Sequence, residues 1–177
     1  HVTLFHWELP QALQDLGGWA SRTTVDAFVR YADVMSEALG DRVTQWATHN
    51  EPWVAAFLGH YFGDFAPGHT DLDETLRVAH HLLLAHGRSV PIIRGNAPNS
   101  EVGIILDCRP SAPASADAAD LAANRHFDGF RNRWFFDPVF GKGYPQDLLE
   151  TYSRRGADMS SFVQPGDLDV IAAPLDF

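Results

Sequence analysis

Three short β-rich runs, His1–His6, Arg42–His49 and Glu101–Leu106, are separated by longer stretches whose apolar residues recur at helical spacing. Strand and helix in that rhythm feed a parallel sheet, because parallel neighbours need a crossover long enough to hold a helix. After the first run, Ser21 or Thr23 can cap a helix to about Leu39 that places Val25, Phe28, Val29, Ala32, Met35 and Leu39 on one face, with Gly40 as its stop. After the second, Thr70 or Asp71 can cap a helix carrying Leu72, Leu76, Ala79, Leu83 and Leu84 that ends before Gly95-Asn96-Ala97-Pro98. The third run has the continuous apolar core Val102-Gly103-Ile104-Ile105-Leu106, the pattern of a strand covered on both faces. A helix from Ala116 to about Phe130 and a short one over Gln146–Arg155 follow, with Trp134–Pro145 read as an ordered functional loop between them. Trp7–Trp19 and Asn50–His69 read as loops, both rich in aromatic residues and glycine.

The expected fold class is α/β. Three strands cannot close a parallel barrel, which needs eight, and a sheet this small would leave its edges and apolar faces uncovered. The chain opens directly into a strand at His1 and stops as an apolar segment begins over Val170–Phe177. Residues 1–177 are therefore expected to form one partial domain, truncated at both ends.

Composition narrows the partners. Thirteen basic against 23 acidic residues give a formal charge of -10, which repels phosphate backbones and anionic lipid, so neither nucleic acid nor membrane is expected. No stretch has the apolar length of a membrane-spanning helix. The single cysteine, Cys108, cannot form an internal disulfide, and a cytoplasmic setting is the default expectation.

Chemistry concentrates at two strand ends. Trp46-Ala47-Thr48-His49-Asn50-Glu51-Pro52-Trp53 puts a carboxylate at the end of an apolar strand, between an amide and an indole and ahead of a proline. Cleaving a glycosidic bond requires a carboxylic acid that stays protonated above a poor leaving group, a state that apolar or aromatic neighbours promote. Glu51 suits that role, with Asn50 available to a ring hydroxyl and Trp53 to the apolar face of a sugar or aglycone. An isolated Asn-Glu-Pro is more often structural. The second segment, Thr3-Leu4-Phe5-His6-Trp7-Glu8-Leu9-Pro10 with Gly17-Gly18-Trp19 behind it, changes the balance, because strands of a parallel barrel end on one face and would bring His6 towards Glu51.

These segments resemble the signatures of the family 1 β-glycosidases, His-Trp-x-x-Pro after the third barrel strand and Asn-Glu-Pro after the fourth. The likeness continues collinearly through the helix Thr24–Leu39, Gly59-His60-Tyr61 to Ala66-Pro67-Gly68, the helix Ala79–His86, and Trp134-Phe135-Phe136-Asp137-Pro138 with Gly143-Tyr144-Pro145. The resemblance implies part of a (β/α)8 barrel, from about the third strand to the start of the sixth. It also implies a retaining β-glycosidase, most simply a β-glucosidase acting on terminal glucosides or galactosides and on short β-linked oligosaccharides such as those of cellulose degradation. By the same resemblance Glu51 is the acid/base, His6 and Asn50 hold hydroxyls of the terminal sugar, Trp7 lies beside them, and Trp53 lines the aglycone side.

The nucleophile is not among these residues. The family's second glutamate sits in a Thr/Ile-Glu-Asn-Gly motif that does not occur here, and retaining chemistry needs two carboxyl groups about 5 to 5.5 Å apart. The remaining barrel segments are thus expected partners, and the chain alone is expected to be inactive; the other reading is a carbohydrate-binding or scaffold half-barrel that assembles with a complementary chain. Many family members carry asparagine where this chain has Asp107, whose charge is expected to help keep Glu51 protonated. No cofactor is expected. No metal is expected either: His80, His81 and His86 share a helix but no two are spaced i, i+4.

Overall fold

The computed structural model describes residues His1–Phe177. Strands β1 (Val2–Phe5), β2 (Gln45–Asn50) and β3 (Glu101–Ile105) form one parallel sheet in the order β1-β2-β3. Helices α2 (Arg22–Leu39) and α3 (Leu72–Asn96) fill the two crossovers. The final residues extend the same sheet direction: Asp176 N–H donates to the Val102 carbonyl at 2.8 Å and Ile104 N–H to that of Phe177 at 3.3 Å. No helix is long and apolar enough to cross a membrane.

The helix starts follow local chemistry. Ser21 Oγ accepts from Thr23 N–H at the start of α2, and Asp71 Oδ1 accepts from Glu74 N–H at 2.8 Å at the start of α3, each satisfying an amide the helix leaves open. Val25, Phe28 and Ala32 of α2 are buried, as the helical spacing required. α3 runs through Gly95 to Asn96 rather than ending before them. Its last turn is pinned from outside, since Asn96 Nδ2 donates to Asp33 Oδ1 at 2.8 Å and to Ser36 Oγ at 3.0 Å, both on α2.

Two expected loops contain helix. Pro52–His60 winds into a helical turn that is π-helical over Val54–Leu58, burying Val54, Ala56 and Phe57. Trp134–Val139 is helix α5, following α4 (Ala118–Asp128) through a second π-helical turn, Gly129–Arg133. Trp134 is fully buried, with ring centroids 4.6 Å from Tyr144 and 5.0 Å from Tyr152, so burial overrides a composition that suggested a loop. Short helices α1 (Gln11–Gln14), α6 (Gln146–Arg154) and α7 (Asp167–Ile171) complete the chain around a single apolar cluster that includes Trp46, Phe57, Leu82, Val102 and Trp134.

The α3 histidines are core residues. His80 Nε2–H donates to Asp167 at 2.9 Å and its Nδ1 accepts the Tyr144 hydroxyl at 2.9 Å, while Arg22 from α2 closes on the same Asp167 carboxylate. His81 Nδ1–H donates to the Trp19 carbonyl at 2.8 Å, and His86 Nδ1 meets Thr48 Oγ1 of β2 at 2.8 Å. Burial holds both His81 and His86 down to about 4, so each is neutral in the folded protein at pH 7. Their contribution to stability is complete above their ordinary value of 6.5 and is lost as pH falls from there towards about 4, because the unfolded chain then binds protons that the folded chain refuses. Urea unfolding of the full-length protein is expected to show about 2 kcal/mol lost per histidine between pH 7 and pH 5; an unchanged free energy over that interval would contradict the assignment.

Candidate active site

The register Phe5↔His49 between β1 and β2 carries His6 to the level of Asn50 and Trp7 to that of Glu51, at one edge of the sheet. A hydrogen bond joins the two strand ends: Trp7 Nε1–H donates to the Asn50 carbonyl at 3.0 Å. His6 is exposed and meets Trp7 edge-on, with ring centroids 5.0 Å apart. The Asn50 amide and the Glu51 carboxylate make no hydrogen bond within the chain, so both are available to a ligand, with Glu51 half-buried.

Backbone geometry marks the same place. Trp7 (φ 80°) and Glu51 (φ 47°) are the two non-glycine residues with positive φ, a region L-residues avoid. Such conformations persist only where the surroundings impose them. For Glu51 the surroundings are explicit: its N–H donates to the Ile105 carbonyl at 2.8 Å, and its carbonyl accepts from Val54 N–H at 2.8 Å as the helical turn begins. A register irregularity between β2 and β3 falls over Ala47–Asn50, immediately before it, and irregularities of this type re-aim a strand end.

Below the edge the site is aromatic. His49 is fully buried, 4.5 Å from the Phe28 ring centroid and 5.4 Å from that of Phe5, and this burial lowers it well below the usual histidine range. Trp53 is only 8% exposed, stacked on Phe57 at 5.4 Å and edge-on to Phe130 at 5.4 Å. Contact of its indole with any ligand is limited to that small exposed portion, in place of the open face expected from the sequence.

The residue that sequence reasoning missed is Arg131. Its guanidinium lies 3.4 Å from the Trp53 ring centroid and forms an ion pair with Asp107. The arginine is almost wholly buried, and its Nε and Nη1 have no acceptor within the chain. Burial lowers its basicity, opposed by the attraction of Glu51. The Asp107 charge is therefore offset by a cation that the Glu51 carboxylate also attracts. The spacing of these two residues fits no local pattern, so nothing in the sequence announced the pair.

A parallel α/β sheet with a free carboxylate, an amide, a histidine and a tryptophan at its strand ends is a slice of a barrel protein whose site lies where such folds place their chemistry. The sequence model described as Glycosyl hydrolase family 1 matches residues 1–177, and the chain belongs to that family. It is 43% identical over 176 residues to Beta-glucosidase A of Acetivibrio thermocellus, covering 99% of this chain and 39% of that protein. Among solved structures it resembles the AHE enzyme from Alicyclobacillus herbarius with a TM-score of 0.96 at 48% identity, covering 99% of this chain and 40% of the other. It also resembles the virulence factor SghA of Agrobacterium tumefaciens, solved with its substrate analog salicin, with a TM-score of 0.91 at 42% identity, covering 98% of this chain and 37% of that one. The chain thus spans about two fifths of the length of these relatives, and its fold is that portion of their (β/α)8 barrel.

The buried ion pair makes a stability prediction. Arg131→Met should destabilise the full-length protein by about 3–5 kcal/mol, because it strands the Asp107 charge. Arg131→Met with Asp107→Leu should recover most of that loss; a double-mutant cycle in urea with no coupling would show that the pair contributes nothing.

Proposed function

We propose that the full-length protein is a retaining β-glucosidase in which Glu51 is the general acid and then the general base. The observation that carries this reading is the Glu51 backbone: a left-handed glutamate, locked between β3 and a helical turn, presents a carboxylate with no partner in the chain beside Asn50 and Trp7. His6 and Asn50 hold hydroxyls of the terminal sugar, with Trp7 beside them and Trp53 at the aglycone side. The attacking carboxylate comes from the remaining barrel segments, since retention requires a second one about 5 to 5.5 Å away. The substrates are β-glucosides and short β-linked oligosaccharides, including those released from cellulose; relatives named as beta-glucosidases and the salicin complex of SghA support that class. The setting is the cytoplasm, where the lone exposed Cys108 needs no partner.

In the full-length enzyme, Glu51→Gln should lower kcat/KM about 100- to 10,000-fold for glucosides with poor leaving groups, the range a positioned proton donor supplies. Activated aryl glucosides, which leave without a proton, should largely keep theirs. Comparable losses on both substrate types would remove the acid role.

The Arg131–Asp107 pair sets the direction of a pH test. Asp107→Asn leaves the Arg131 cation uncompensated beside Glu51, which favours the ionised acid, so the alkaline limb of the pH–rate profile should move to lower pH. An alkaline limb that stays in place, or moves upward, would separate Asp107 from the proton donor.

A further inference from the structure

Beyond the strand-end cluster, the loop after the Pro52–His60 turn gathers three side chains of metal-ligating chemistry. His60 closes the turn, His69 lies near the far end of the loop, and Glu74 stands in the first turn of α3; one ligand atom from each lies within 4.8 Å of the others. The backbone holds them there. His69 N–H donates to the Gly59 carbonyl at 3.0 Å and Asp71 N–H to that of His60 at 2.8 Å, tying the two ends of the loop together.

Each side chain is in a state suited to a cation. His60 is 4% exposed, and its Nδ1–H donates to the Ala55 carbonyl at 3.2 Å. That hydrogen bond fixes the tautomer, leaving the Nε2 lone pair without a protein partner, the outer-shell arrangement found behind metal-bound histidines. His69 meets His60 edge-on with ring centroids 5.6 Å apart, and its side chain is 44% exposed, which leaves an approach from solvent. Its Nδ1 faces both Glu74 carboxylate oxygens at 3.0 Å. Glu74 is not spent on the helix terminus, because Asp71 caps it, and no arginine or lysine pairs with it; Arg77 nearby is engaged with Asp73 at 3.1 Å.

We propose that His60, His69 and Glu74 form a binding site for a divalent transition metal, zinc above others, with a solvent-facing open position. Two imidazoles and one carboxylate match zinc's preference, whereas magnesium and calcium take oxygen ligands. The ion clips the Gly59–Thr70 loop to α3. The same loop carries Phe65, Ala66 and Pro67 along a cavity of about 470 Å³ shared with Trp7 and His60, so the clip also stiffens one wall of that cavity. None of the three ligands belongs to the Glu51 cluster, and the metal site stands whether or not the glycosidase reading does.

Chelator-stripped full-length protein titrated with zinc chloride in a calorimeter should bind one equivalent, with a rise in Tm that magnesium chloride does not reproduce. His60→Ala, His69→Ala and Glu74→Gln should each weaken binding by about 100-fold, at least the loss that follows removal of a metal's supporting groups. His69 and Glu74 are at the surface, so these two variants keep the metal-free Tm and decide the matter even if His60→Ala fails to fold. Absence of zinc binding in the unsubstituted protein, or unchanged affinity in either His69→Ala or Glu74→Gln, would overturn the proposal.

Discussion

The candidate site depends on one constraint, the backbone of Glu51 held at positive φ between two strands and a helix. Left to itself the residue would relax into the extended or right-handed region, at a gain of roughly 1–3 kcal/mol. Three hydrogen bonds prevent it: Glu51 N–H to Ile105, Val54 N–H to Glu51, and Trp7 Nε1–H to Asn50. They come from three separate parts of the chain. The strain is therefore offset by the sheet and turn as a whole, and a side chain at this point has a direction that no rotamer choice of its own could guarantee.

That arrangement needs a rigid back wall, which α3 supplies. It crosses behind β2 and β3, and its histidines act as polar core residues, each matched to a specific acceptor or donor: Asp167 and Tyr144 for His80, the Trp19 carbonyl for His81, Thr48 for His86. A hydrophobic side chain would fill the same volume without specifying which neighbour it meets. The Thr48 contact matters most for the site, because Thr48 lies on β2 within the irregular stretch that leads to Glu51.

The parts of this molecule legible in its sequence are those written in short-range periodicity. β3 is legible because its apolar run is continuous, β2 because a short β-rich run alternates with helical stretches, and α2 because Phe28 and Ala32 recur at the spacing of a helical face. The approach of Asn50 and Glu51 to His6 and Trp7 is legible because a parallel sheet places neighbouring strand ends together. The helical turns at Pro52–His60 and Trp134–Val139 were not legible, since the rings that bury Phe57 and Trp134 arrive from elsewhere: Phe130 stands 4.8 Å from Phe57, and Tyr144 lies against Trp134. The same limit hid Arg131, and it hid the cluster of His60, His69 and Glu74, whose spacings correspond to no helix, strand or turn.

Arg131 shows why such long-range residues alter the chemistry and not only the packing. A lone aspartate at position 107 would add negative charge near Glu51; a lone arginine over Trp53 would add positive charge to the same place. Together, paired and mostly out of water, they present a dipole whose net effect on a neighbouring carboxylate is small while both partners are intact and large when either is removed. An indole that is itself nearly buried is then held between a cation above it and an aromatic floor below it, so its surroundings are shaped by charge placement as much as by the ring named in the motif. The strand-end signature is written in the sequence; the charge pair set over its indole is assembled only by the fold.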